Sequence, residues 1–383
     1  MKRVSYWLVI LTLTIGCKKP YSPPAISNAP SLLVVEGTIL SGQDSTIFKL
    51  SRTVKLSSGT TISPVAGATV SFESTAFSVP LYEYKTGYYA SPGGLLDPSQ
   101  QYRLKIVLAD NTTYLSDFVP VKTTPAIDSI GYIEQNDGLQ FYLNTHDQNN
   151  NTRYYRWAYE ETWKFHAKYQ SGEVTDGTKI LLRNGNQDIF DCFAGDVSSD
   201  ILLGSSAKLA QDVIFQSPLG FIPSTSEKIG VRYSVLLRQY ALTSDAFSFW
   251  SNLKKNTEQL GSIFDAEPSQ INGNIHNIKN LLEPVLGYVS ACTVQKKRIF
   301  VDQTQLPVTW RTSYPYDCSL DSIWYKNPIT MRNQVGEFLI PLGSNEIPLS
   351  HWGFPTILGY ISTSRVCADC TIRGVTQAPG FWR

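Results

Sequence analysis

Apolar and polar residues alternate with period two along much of the chain. Tyr102, Leu104, Ile106 and Leu108 interleave with Arg103, Lys105 and Val107, which predicts a strand with one buried face. Residues 46–52 alternate in the same way, and 32–39 are apolar enough for a buried strand. Residues 64–72 read as a turn into a strand, and Gly87-Tyr88-Tyr89 as a short strand after a glycine. Asp110-Asn111 makes a hairpin turn, from which 113–119 return as one strand. About seven short strands within about 90 residues predict a β-sandwich over 31–122, of transthyretin-like or immunoglobulin-like kind.

After a linker at 123–126, a larger β-rich domain is predicted over 125–383. Residues 139–144 form a strand, 147–151 a polar turn and 153–159 an aromatic strand, an opening like that of a fibronectin-III sandwich. One helix stands out near 244–260. Thr243 or Ser244 can cap it, and Asp245 complements the positive end of its dipole. Phe247, Trp250 and Leu253 fall on one face, and Gly261 is the stop. Residues 288–293, 297–301 and 336–341 are again strand-like. The predicted fold is mainly β, with one or a few helices.

The N-terminus departs from this pattern. Lys2 and Arg3 precede an apolar run at 7–11 continued by Leu13 and Ile15. That run is shorter than the roughly 20 residues a bilayer needs, and has the layout of a cleaved secretory signal over 1–17. Thr14-Ile15-Gly16-Cys17 supplies a lipobox, with Thr14 where leucine is usual. Cys17 is therefore the expected mature N-terminus and lipidation site. Residues 18–30 contain four prolines and read as an extended tether. At about 3.1 Å per residue it reaches roughly 40 Å.

Charged residues make up 17% of the chain and the net charge is +1, with no basic stripe, so nucleic acid is not an expected partner. The 21 tyrosines and 8 tryptophans serve either a sandwich core or a contact surface. Beyond Cys17 the cysteines are Cys192, Cys292, Cys318, Cys367 and Cys370, an odd set suited to an oxidising compartment. Cys367-Ala368-Asp369-Cys370 has the spacing of a redox pair or half a zinc site. No second ligand pair accompanies it, and Thr371-Ile372-Arg373-Gly374 is no helix start. Structural disulfides are expected instead, with Cys367 and Cys370 joined to each other or to Cys318 or Cys192, and Cys292 left free. His146, His166, His276 and His351 share no ligand spacing, and no nucleophile elbow or phosphate loop occurs. No catalytic residue, metal or cofactor is expected. Three triplets, Asp44-Ser45-Thr46, Asp128-Ser129-Ile130 and Asp321-Ser322-Ile323, fit an O-glycosylation pattern, and equally a turn opening a strand.

A further set of phrases, taken in order, carries a resemblance. They are Leu33-Val34-Val35-Glu36-Gly37, Tyr154-Tyr155-Arg156-Trp157, Glu161-Thr162-Trp163 and Cys192-Phe193. Tyr233-Ser234-Val235, Arg238-Gln239-Tyr240, Phe249-Trp250, Pro268-Ser269 and Gly273-Asn274-Ile275 follow. Leu286-Gly287-Tyr288, the Cys367–Cys370 tetrapeptide and Pro379-Gly380-Phe381-Trp382 complete it. Together they resemble the domain of unknown function 4249 family over nearly the whole mature chain. Phe193 departs from the family's tryptophan. The resemblance implies an outer-membrane lipoprotein of unknown activity, commonly beside a TonB-dependent receptor.

The resulting expectation is a lipid-anchored accessory protein that binds rather than catalyses and partners a TonB-dependent transporter. Lys18-Lys19-Pro20 carries no acidic residue after Cys17, which favours the periplasmic face. Tyr154, Tyr155, Trp157 and Trp163 are the candidate contact residues. A stand-alone glycan- or ligand-binding lipoprotein and an envelope hydrolase are the alternatives.

Overall fold

The structure, a computed structural model, describes residues 31–54, 62–258 and 273–382. The signal peptide, Cys17, the 18–30 tether, Gly261 and Pro268-Ser269 lie outside the described residues. The chain is mainly β, as the alternation predicts.

Leu33–Ser41 pairs antiparallel with Thr46–Arg52, and Tyr88–Ser91, Ser78–Lys85, Thr69–Glu73 and Gln101–Val107 follow across the sheet. In Gln101–Val107 it is Tyr102, Leu104 and Ile106 that point inward. The segment 113–119 is two strands rather than one. Both pair with Gln101–Val107, but Val119–Lys122 also runs parallel to Ala291–Asp302 through Val121 and Lys122. Ser116 marks the break: its hydroxyl accepts the Leu104 amide at 2.8 Å and donates to the Asp117 carbonyl, so a side chain replaces the ladder.

The first core also draws on a distant segment. Ile275–Asn277 pairs with Thr113–Ser116, and Ile275, Val285, Val289 and Ala291 are buried with Leu33, Phe48, Tyr102 and Ile106. The Asn274 carboxamide fastens this return by bonding the Val289 amide and carbonyl at 2.8 and 3.0 Å. The chain thus leaves the first sandwich after residue 122 and re-enters it near residue 273.

In the second sandwich, Tyr154–His166 lies between Arg232–Ala241 and the pair Asp191–Val197 and Leu202–Ser205. Arg232–Ala241 continues to Ala291–Asp302. Against its inner face packs a second sheet with Gly138–Asp147 between Ile127–Gln135 and Asp212–Pro223. Parallel pairing of Ile39 with Ala291 and of Ser41 with Thr293 joins both sandwiches into one sheet. The predicted polar turn closes on Asp147, whose carboxylate accepts the amides of Asn149, Asn151 and Thr152.

A smaller C-terminal module places Gly359–Ser364 between Asp321–Trp324 and Glu346–Trp352. Residues 336–341, expected as a strand, instead form part of a π-helical turn, Val335–Leu339. A strand would turn Glu337 to the same side as Val335 and Leu339. The helical turn buries those two against Ile323 and Tyr360 and leaves Glu337 in solvent.

The predicted helix spans Ser244–Glu258. Thr243 caps it by accepting the Ala246 amide on Oγ1 at 3.2 Å. Its buried residues are Ala246 and Phe249, so the inner face lies beside the predicted Phe247, Trp250 and Leu253 stripe. Phe247 and Trp250 are half-buried because each caps a residue of the sheet beneath.

Candidate functional site: a groove on the outer face of the shared sheet

Side chains of the strand Tyr154–His166 divide between its two faces. Tyr155, Trp157 and Trp163 point into the second core, at 0%, 1% and 9% exposure. This removes them as contact residues: an aromatic run on a strand must alternate, and here the odd-numbered members fill the sandwich. Trp157 stacks on Tyr155 with ring centroids 5.8 Å apart and donates its indole N–H to Gln239 at 2.8 Å. Tyr155 donates its hydroxyl to Asp212, and Lys228 lies 4.9 Å above the Trp163 ring. Tyr154 is on the outer face, covered by Phe247 at 4.9 Å.

On the outer face the same strand presents Arg156 and Glu160. Antiparallel register sets Arg156 opposite Tyr240, and Arg238 opposite Lys296. Glu36, Thr38 and Leu40 come from Leu33–Ser41, and Asp44 and Ser45 from the turn that follows. Trp250 on the helix forms a wall. Together these line an open groove of about 540 Å³ across the junction of the two sandwiches. Further along Ala291–Asp302 the face is covered by the chain's end. Arg298 stacks 3.6 Å over Phe381, and Trp382 meets Phe300 and Phe193 edge-on.

Each carboxylate of the groove already has a cation. Glu36 pairs with Lys49 at 2.8 Å, Asp44 with Lys296, and Glu160 with Arg238. Arg156 differs: among the described residues its guanidinium has no carboxylate or carbonyl partner. It lies 4.2 Å from the Trp250 ring and 5.4 Å from that of Tyr240. Enclosure by protein pulls its pKa below the ordinary arginine value, while the residue as a whole is half-buried and opens on the groove.

Cysteine chemistry is structural. Cys192 bonds Cys370, and Cys318 bonds Cys367, each with Cα atoms 5.8 Å apart. The Cys367–Cys370 spacing thus closes no ring of its own. The short helix Arg365–Ala368 ends between the two cysteines and sends them to separate partners. Cys292 is free and buried, and burial pushes its thiol up to about 12. The four histidines face different acids: His146 meets Asp128, His166 Asp191, His276 Asp117 and His351 Glu173. Among the described residues no group of three histidines, cysteines or acids is placed to hold a metal. Nor is any helix among them long and apolar enough to cross a membrane.

Sequence reasoning missed Arg156, Arg238, Glu160 and Trp250 as neighbours. For Arg156, Glu160 and Arg238 the signal was the polar half of the same alternation that marked the core; Trp250, on the helix, had none of that kind.

No curated protein matches the chain. Two solved structures are similar to it in part. A candidate carbohydrate-binding protein from Bacteroides uniformis is 10% identical, with a TM-score of 0.16, over 56% of this chain and 92% of its own. A DUF3823 family protein from Bacteroides ovatus is 11% identical, with a TM-score of 0.13, over 55% of this chain and 91% of its own. At these values the likeness carries nothing about ligand or function. The profile of the domain of unknown function 4249 family matches residues 18–298, ending before the Cys367–Cys370 and Pro379–Trp382 phrases. The chain belongs to that family.

Proposed function

We propose that the protein is a lipid-anchored binding protein of the outer membrane, without catalysis, that works beside a TonB-dependent transporter. The groove carries this reading. It is a concave, mixed polar and aromatic surface built on strands, in which, among the described residues, Arg156 is the one lining cation without an ion-pair partner. Pockets of this size with a few fixed polar groups suit ligand binding. The lipid on Cys17 would hold the body at the membrane, where a receptor is met at high effective concentration. The periplasmic face is the proposed location, on the residues that follow Cys17.

Experiments on the anchor and on the partner test the reading. Mass spectrometry of the mature N-terminal peptide is expected to find acylated Cys17, and Cys17→Ala to release the protein into the soluble fraction; a free N-terminus overturns the anchor. Co-purification of the tagged chain from detergent-solubilised native membranes is expected to bring down a β-barrel receptor. A groove-filling Ser45→Trp variant should keep that receptor but impair its import. Absence of any receptor, with import unchanged on deletion, leaves a stand-alone binding lipoprotein.

A further inference from the structure

We propose that the groove takes an acidic saccharide, and that Arg156 grips the ligand's carboxylate. The inference rests on the groove being the binding site. Its starting point is the charge count. Three carboxylates, Glu36, Asp44 and Glu160, are matched by Lys49, Lys296 and Arg238. Among the described residues Arg156 is the one cation lining the groove without an ion-pair partner, so its guanidinium is left to meet a negative charge from outside.

Geometry selects the kind of anion. Arg156 Cζ lies over the Trp250 ring, 4.2 Å from its centroid. Arg156 lines the groove, and among the described residues no hydrogen bond or ion pair takes up its fork of N–H donors. That fork matches a planar carboxylate bidentately. A phosphate monoester carries up to two negative charges near neutral pH, more than one guanidinium balances.

The remaining walls select the body. Thr38, Ser45 and Tyr240 are hydroxyl-bearing residues of the lining, and the Glu160–Arg238 and Asp44–Lys296 pairs set acceptors beside donors. Adjacent acceptors and donors suit neighbouring ligand hydroxyls. A peptide adding as a strand finds no free edge on two of the floor strands. The floor strands Tyr154–His166 and Arg232–Ala241 are hydrogen-bonded on both sides.

The test is calorimetric titration of the full mature chain with trigalacturonate, its neutral methyl ester, and a tripeptide with a free C-terminal carboxylate. Trigalacturonate is expected to bind, and its ester to bind about tenfold to a hundredfold more weakly, as for loss of a charge-assisted hydrogen bond. Arg156→Gln should cause the same loss for the acid and none for the ester. Because that variant could unfold, Glu160→Gln supplies a gain: it frees Arg238, adds a second unpaired cation and should tighten acid binding. Equal binding of acid and ester would remove the carboxylate claim while leaving the groove as a saccharide site. Arg156-dependent binding of the tripeptide alone would overturn the saccharide. Failure of all three probes, or no gain in Glu160→Gln, would overturn the proposal; the groove reading itself then stands or falls on the Ser45→Trp import result.

Discussion

The two sandwiches and the C-terminal module hold together by different means. Each sandwich buries large side chains from several strands, such as Phe48, Tyr89 and Tyr102 in the first and Tyr155, Trp157 and Phe165 in the second. The module's buried cluster is Ile323, Val335, Leu339 and Tyr360. It compensates with cross-links: Cys318–Cys367 closes its own loop, and Cys192–Cys370 ties its end to the second sandwich. Small cores supply little stability on their own and commonly need such staples. Exposed apolar residues also crowd the module, with Ile329, Leu342 and Phe354 each more than 70% exposed. A core that cannot enclose its own apolar residues leaves cross-linking as the remaining device.

The contrast can be broken first at Trp157. Trp157→Ala should destabilise the second sandwich by about 3–5 kcal/mol, the usual cost of deleting a buried large aromatic. It also strands the Gln239 carboxamide oxygen that accepts the indole N–H. Urea unfolding is the measurement, and a loss under 1 kcal/mol would mean the core repacks freely. The module is probed next. Cys318→Ser with Cys367→Ser reopens a loop of 49 residues and should cost about 2–4 kcal/mol. Limited proteolysis should then cut within 318–367 while leaving both sandwiches intact; simultaneous loss of all three would show one cooperative unit.

Smaller effects sharpen the picture at the edges. Thr243→Ala removes the helix cap and should cost about 1 kcal/mol, read from the thermal midpoint. Last comes a titration. The hydrogen bond that the His146 ring donates to the Asp128 carboxylate raises the His146 pKa above its ordinary value. The folded value thus exceeds the unfolded one, near 6.5. Its stabilisation is complete below the unfolded pKa and is lost as pH rises through the folded pKa. NMR titration should place His146 above a free histidine, and Asp128→Asn should bring it back.

Local pattern made much of this structure legible. The buried alternation at 102–108, the strand at 46–52, the Asp147 turn and the Thr243 cap all lie in a few neighbouring residues. What stayed hidden depends on partners far along the chain. Nothing near Ser116 announces that Ile275 will pair with it, or near Val121 that Ala291 will. The groove was half-visible. Alternation separates Arg156 and Glu160 from Trp157 and Glu161, but only sheet order brings Arg238, Lys296 and Glu36 beside them. Aromatic richness drew attention to Tyr155, Trp157 and Trp163, where tight packing uses it, and away from Trp250, whose indole faces an arginine.

The return of residues 275–291 to the first core has a consequence for how the chain is made. A polypeptide emerges from its N-terminus, at about 5–20 residues per second. When Val119 appears, the strands of the first sandwich exist, but Ile275, Val285, Val289 and Ala291 do not. The wait lasts on the order of ten to thirty seconds at that pace. Throughout it Thr113–Ser116 has an open edge, and Leu33 lacks its later neighbours, which invites chaperone holding over early collapse. A gene fragment ending near residue 122 would freeze the chain at that stage, and its product should be recovered as aggregate unless residues 273–302 are supplied alongside.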